Sequence, residues 1–409
     1  MHSIRRKWLI GGVLASLCLA VSSSFAWLAR NREGPTELLA RAQADFQAGR
    51  FASAKLALDR LALLREPTPM DRLARAEVAQ GSGHPDEALA DLARIPGGDG
   101  LAPIARTMAG RIELKRGRVR AAESQFLAAL AVAPGEIQAH RELAYVYNVQ
   151  HRRAEFDRAM ETLSGLNALS FEHLLHWGKT RNAVWNPKDD NEALKRFLAA
   201  DPDDRQSRMT LADGYRQMGQ LDLADETLAP LPDSDLDVLA LRAQVALERG
   251  DRERTKRLLA GGPDDQPDLA RVRGKLALAE GKPAEAARSL RIALASEPDD
   301  RATLFALATA LRSSGDAERA KRYQEAARRH DALTPLIAGA SAEAWAKDPK
   351  LAARLAVACE AAGRTAEARA WYRLAIARDP LDDVAQKGLY RLTRPVEAKH
   401  ADSRNKPAA

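Results

Sequence analysis

Small apolar residues recur along the chain at a nearly constant interval. Ala42, Ala76, Gly110, Ala144, Gly178 and Ala212 stand 34 residues apart; Ala243, Gly274, Ala308 and Ala356 continue the series at 31, 31, 34 and 48. Seven residues after each lies a second marked position: Gly49, Gly83, Gly117, His151, Trp185, Gly219, Gly250, Gly281, Gly315 and Gly363, eight of the ten being glycine. Glycine just past a helix supplies the left-handed backbone that closes it. Five residues on comes another small residue, as in Ala54, Ala88, Ala122, Ala224, Ala286, Ala320 and Ala368. Four beyond that stands leucine or an aromatic, as in Leu58, Leu92, Phe126, Leu228, Leu290 and Tyr372. Small residues where two helices cross let them approach closely, and the larger residue fills the next layer. The second helix then ends at proline in Ala133-Pro134, Glu297-Pro298 and Asp379-Pro380, because proline lacks the donor that would continue it. The pattern predicts about ten helix–turn–helix units.

A period of 34 residues built this way resembles the tetratricopeptide repeat. The segments LARAEVAQGSGHPDEALADL, RIELKRGRVRAAESQFLAALAVAP, GKLALAEGKPAEAARSLRIALASEP and AVACEAAGRTAEARAWYRLAIARDP match it best, and the likeness spans roughly residues 35–393. It implies an all-α protein, an α-solenoid in which helix pairs stack into a right-handed superhelix. Each pair buries its apolar face only against its neighbours. Residues 35–380 form the expected solenoid, 381–393 a capping helix carrying Val384, Leu389 and Leu392, and 394–409 a disordered tail. Three departures stand out. The fifth unit is interrupted around Trp185-Asn186-Pro187, which delays its second-helix alanine to Ala193. The sixth and seventh units are three residues short, and about fourteen extra residues near Ile337–Lys347 predict an additional helix or lid.

The amino terminus follows another rule. Residues 1–7 carry Arg5, Arg6 and Lys7, and residues 8–29 carry no charge. That run of 22 residues would reach ~33 Å as a helix, enough for a hydrocarbon core of ~30 Å. Two readings stay open: a transmembrane anchor, with Trp27 as an interfacial aromatic, or a signal peptide cut after Ser24-Phe25-Ala26. Both put the body outside the cytoplasm, membrane-tethered in the first case and secreted in the second.

Composition sharpens the picture. Of all residues 45% are apolar but only 5% aromatic, so alanine-rich helix contacts make the core. The formal charge is +7; setting aside Arg5, Arg6 and Lys7 leaves 60 basic against 56 acidic residues. A balance so even, with arginine interleaved among acids, is a solvated helix face and not a nucleic-acid surface. Candidate chemistry is thin. Gly178-Lys179-Thr180 lacks the upstream glycine of a phosphate loop, since that position is His173. His173 and His176 lie one turn apart without a third ligand nearby, so no metal is expected. Cys359 stands at a core position and Cys18 in the apolar run. No nucleophile–base spacing appears, so neither an enzyme nor a cofactor is expected.

In tetratricopeptide-repeat proteins the first helices line the concave face, and the resemblance carries this to positions three before, one after and four after each recurring small residue. Those are Arg141, Tyr145 and Asn148 in the fourth unit; Leu175, Lys179 and Asn182 in the fifth; Asp213 and Arg216 in the sixth; Gln244 in the seventh; Arg271 and Lys275 in the eighth. Such a wall suits an extended peptide, whose carbonyls and carboxylates need donors. The expected function is a protein-interaction scaffold. The alternative is an envelope-polysaccharide accessory protein, suggested by the aromatics Tyr147, Phe156, Phe171, Trp177 and Trp185.

Overall fold

The computed structural model describes residues 33–181 and 187–393. The expected anchor or signal over 8–29, the tail 394–409, Asn182 and Trp185 lie outside the described residues. Among the described residues there are 22 α-helices and no strand, and no helix is long and apolar enough to cross a membrane. The turn rule holds at every predicted glycine: all eight have φ between +72° and +87°. His151 fills the same place at φ +52°, a conformation costly for a residue with a Cβ.

The chain divides into two compact units, the first ending at Ile112 and the second starting at Glu113. In the first, α1 (Pro35–Gln47) pairs with α2 (Phe51–Leu64), and α3 (Pro69–Gly81) with α4 (Pro85–Ala93), before α5 (Ala102–Lys115) begins. Ala42 and Ala54 meet at the first crossing and Ala76 and Ala88 at the second, each almost fully buried. Side-chain caps define the ends: Thr68 Oγ1 accepts from Asp71 N at 3.3 Å while Asp71 Oδ2 accepts from Thr68 N at 2.8 Å.

In the second unit α6 (Val119–Val132) leads to the pair α7 (Ile137–Val149) and α8 (Arg153–Gly165). A run of regular pairs follows later: α11 (Arg205–Gln217) with α12 (Leu221–Leu228), α13 (Leu236–Arg249) with α14 (Arg252–Ala260), α15 (Pro267–Ala279) with α16 (Pro283–Ser296), and α17 (Arg301–Ser313) with α18 (Ala317–Gly339). Beyond these come α19 (Ala342–Lys347), the pair α20 (Leu351–Ala361) and α21 (Thr365–Arg378), and α22 (Asp383–Thr393), which packs on both helices of that pair.

Between these two runs the repeat rule fails. The fifth unit predicts a hairpin of α9 (Phe171–Arg181) and α10 (Pro187–Ala200), but α10 packs on α11 and α7, while α9 packs against α18, α19 and α21. The reason is aromatic. Phe171 stacks on Trp345 of α19 (5.0 Å, 11°) and meets Trp371 of α21 edge-on at 5.7 Å. Gly178, the small residue of the fifth unit, gives room to Ile337 and Glu367, which would lie 3.0 and 3.1 Å from an added Cβ. Its smallness serves contact with α18 and α21.

This exchange lets the second unit close on itself. The last pair packs against α8 and α9: Arg369 pairs with Glu161, and Arg373 Nη1 donates to Ser164 Oγ at 2.8 Å. The extra residues near Ile337–Lys347 form the end of α18 and all of α19, the pieces that receive α9.

Candidate functional site

Two polar arrangements stand out in the second unit. One is a row across the first helices of successive pairs. On α11, Asp213 Oδ1 accepts from Arg216 Nε at 2.8 Å, and Arg216 Nη1 donates to Glu248 Oε1 on α13 at 2.6 Å. Gln244 Nε2, one turn before Glu248, donates to the same oxygen at 2.6 Å. The Gln244 amide oxygen in turn accepts from Lys275 Nζ on α15 at 3.2 Å. Arg271, one turn before Lys275, reaches Asp268, Glu297 and Asp300 at 2.7, 2.8 and 3.3 Å. Five residues expected on the groove wall, Asp213, Arg216, Gln244, Arg271 and Lys275, therefore share one row, because the regular pairs keep their first helices in register.

The row is electrostatically uneven. Burial works against the Arg216 charge, but Asp213 and Glu248 outweigh it and stabilise the guanidinium. Lys275 fares worse: burial first, then Arg216, with a smaller push from Arg271, hold its ammonium below the usual lysine range despite Glu248 and Asp300.

The other expected residues part company with this row. Arg141 donates to the carbonyl of Ala168 at 3.0 Å, and Tyr145 lies open to solvent. Leu175 is buried in the core, and Lys179 sits on α9, which packs against α18, α19 and α21. Asn148 faces elsewhere, into a cavity.

That cavity is the second arrangement, a space of about 370 Å³ among the end of α7, the starts of α8 and α17, the end of α9, the middle of α18 and the turn before α21. On one side Arg153 and Arg181 each donate from Nη2 to Asp299 Oδ2 at 2.8 Å, and Arg364 Nε lies 4.0 Å from the same oxygen. Burial pushes the Asp299 carboxyl up, yet Arg181, Arg153 and Arg364 together hold it below the ordinary carboxylate range. His330 stands opposite. Burial and then Arg364 lower its pKa to about 4, so the ring is neutral near pH 7. Behind Arg364, Glu367 is fully enclosed; burial raises its carboxyl, and raises the Cys359 thiol well above normal.

The repeat pattern reads Pro298-Asp299-Asp300 as an ordinary turn with a helix cap, and Asp300 does cap α17 by accepting from Ala302 N at 3.1 Å. Nothing in the pattern marks Asp299, whose partners Arg153 and Arg181 lie 146 and 118 residues away. His173 is occupied locally, its Nδ1 accepting from Ser170 N at 3.1 Å. Among the described residues no group of three or more His, Cys, Asp or Glu is placed to hold a metal ion.

The tetratricopeptide-repeat family model matches residues 107–161 and 271–332. No curated protein matches the chain. Solved structures similar to it include a tetratricopeptide repeat protein from Parabacteroides merdae, 17% identical, covering 59% of this chain and 98% of that one at a TM-score of 0.32. The APC/C hetero-tetramer Cut9-Hcn1 is 13% identical, covers 90% and 98%, and scores 0.30. The human IFIT1 dimer with PPP-AAAA is 15% identical, covers 89% and 82%, and scores 0.31.

Proposed function

Since the chain carries tetratricopeptide repeats, units that generally act as protein-interaction scaffolds, we propose that it is a non-catalytic scaffold whose row on α11, α13 and α15 takes an acidic peptide segment of a protein partner. Lys275 carries this reading. Its ammonium is half-buried, crowded by Arg216 and Arg271, and hydrogen-bonded to the Gln244 amide. A partner's carboxylate there would form a charge-assisted hydrogen bond and offset the crowding of like charges.

The test is fluorescence anisotropy with a labelled peptide alternating glutamate and alanine. Lys275→Glu should weaken binding at least tenfold, about 1.4 kcal/mol, and binding should weaken as salt is raised. Equal affinity in the variant and the parent would sink the assignment.

The body is proposed to lie outside the cytoplasm, tethered by residues 8–29. The support is the uncharged run that follows Arg5, Arg6 and Lys7. Reporter fusions after residue 60 that are active in the cytoplasm would overturn it, and N-terminal sequencing of the mature protein separates anchor from cleaved signal. A glycan ligand is less well supported, because it needs exposed aromatic faces. Phe171 and Trp177 are buried in the core, and Tyr147 and Phe156 line the Asp299 cavity but are otherwise buried.

A further inference from the structure

The cavity around Asp299 touches the partner row only at its margin, where Asp300 meets Arg271 and Gln217 meets Asp213. Its volume of about 370 Å³ falls within the range of small-molecule sites, roughly 300–1,000 Å³. What distinguishes it is unmet hydrogen-bonding capacity. Four of its lining side chains hold a buried polar atom with no hydrogen-bond partner: Asn148 Oδ1, Arg181 Nε, His330 Nδ1 and Arg364 Nε. His330 and Arg364 are only 4% and 5% exposed. Leaving such a group unmet is costly, and in folded proteins it is usually met by water, an ion or a ligand.

The chemistry of the wall selects the ligand. Four arginines face two aspartates. Both aspartates are already engaged, Asp299 by Arg153 and Arg181, and Asp300 by Arg271 and its own helix start. Of the arginines, Arg181 also pairs with Asp157, Arg301 with Asp331, and Arg364 lies 3.7 Å from Glu367, so the selection rests on the donors still unmet, Arg181 Nε and Arg364 Nε. An anion would find donors, with Phe156 and Tyr147 to cover a carbon body.

We propose that this cavity binds a small organic anion whose carboxylate or phosphate oxygens accept hydrogen bonds from Arg181 and Arg364. Small adjustments of the two side chains would turn their inner N–H groups toward it, and arginine's planar fork suits both oxygen types. The two arginines belong to α9 and to the turn before α21, so a bound anion bridges the elements whose contact closes the second unit, and occupancy stabilises that closure.

The full chain is tested by calorimetry and thermal melting with citrate and with inorganic pyrophosphate, each against sodium chloride of matched ionic strength. At least one probe should bind one to one and raise Tm by 3 °C or more at about 10 mM. Citrate alone would identify carboxylate recognition and pyrophosphate alone phosphate recognition; both would mean that charge dominates. Arg364→Gln should weaken binding tenfold or more. Thr334→Phe leaves every arginine in place but fills the wall, so it should abolish the shift even if the first variant folds poorly. Arg301→Gln, whose side chain is 60% exposed, gives a third variant that keeps the fold, with a smaller loss expected. Lys275→Gln, on the partner row, should leave anion binding intact, which separates this inference from the peptide reading. No shift beyond matched salt with either probe, or a shift that survives Thr334→Phe, would overturn it.

Discussion

At the scale of single residues, His330 shows how burial turns a common side chain into a pH-dependent weight on stability. Burial, reinforced by Arg364 and opposed by Asp299, brings its pKa to about 4, against 6.5 for the free group. Between those values the unfolded chain binds a proton that the folded chain refuses. Stability therefore falls as pH drops from about 6.5 toward 4, by on the order of 3 kcal/mol if the full difference is expressed. Thermal melts across that window should show a shallower pH dependence in His330→Gln than in the parent, and parallel curves would remove His330 from the account. The turn glycines make the complementary point. Their left-handed backbone is a local demand, so all eight were legible in the sequence, and even His151 holds the position without glycine's freedom.

At the scale of elements, most helices follow from local signals. Asp204, Asp235 and Asp300 cap the helices they precede, and small residues meet at the crossings. The exception is α9. Its sequence carries the repeat's small residue, yet Phe171 and Trp177 are both deeply buried, and Phe171 meets Trp345 of α19 and Trp371 of α21. Trp345 should be the keystone, sandwiched between Phe171 and the Arg378 guanidinium, which lies 4.2 Å from its ring centre. Trp345→Ala is expected to cost about 2–4 kcal/mol. It should also speed tryptic cleavage at Lys179 and Arg181 as α9 loosens. Unchanged cleavage would mean that α9 is held by other contacts.

At the scale of the molecule, repeats ordinarily interact only with neighbours, so their stability adds unit by unit. The second unit departs from this through the aromatic contacts of α9, and beside them Asp299 ties Arg153 and Arg181 together next to Arg364. Asp299→Asn leaves those guanidinium groups without their shared counter-charge, a loss of about 2–4 kcal/mol for a largely enclosed group. A short crosslinker between cysteines placed at Glu161 and Arg369, which face each other across the closure, should react readily in the parent background and poorly with Asp299→Asn. Helicity by circular dichroism should stay near the parent value, because the pairs themselves remain. Equal crosslinking would show that apolar packing alone keeps the unit closed.

Most helix pairs, their turns and the register that lines up Asp213, Arg216, Gln244, Arg271 and Lys275 are written in the amino-acid order, because each depends on residues within one or two repeats. Where α9 goes, how the last pair meets α8, and that Asp299 gathers arginines from more than a hundred residues away emerge from the folded molecule alone. Those outcomes rest on the fit of surfaces far apart in the chain, and a periodic pattern, which repeats the same local instruction in every unit, holds no record of which distant surface will be met.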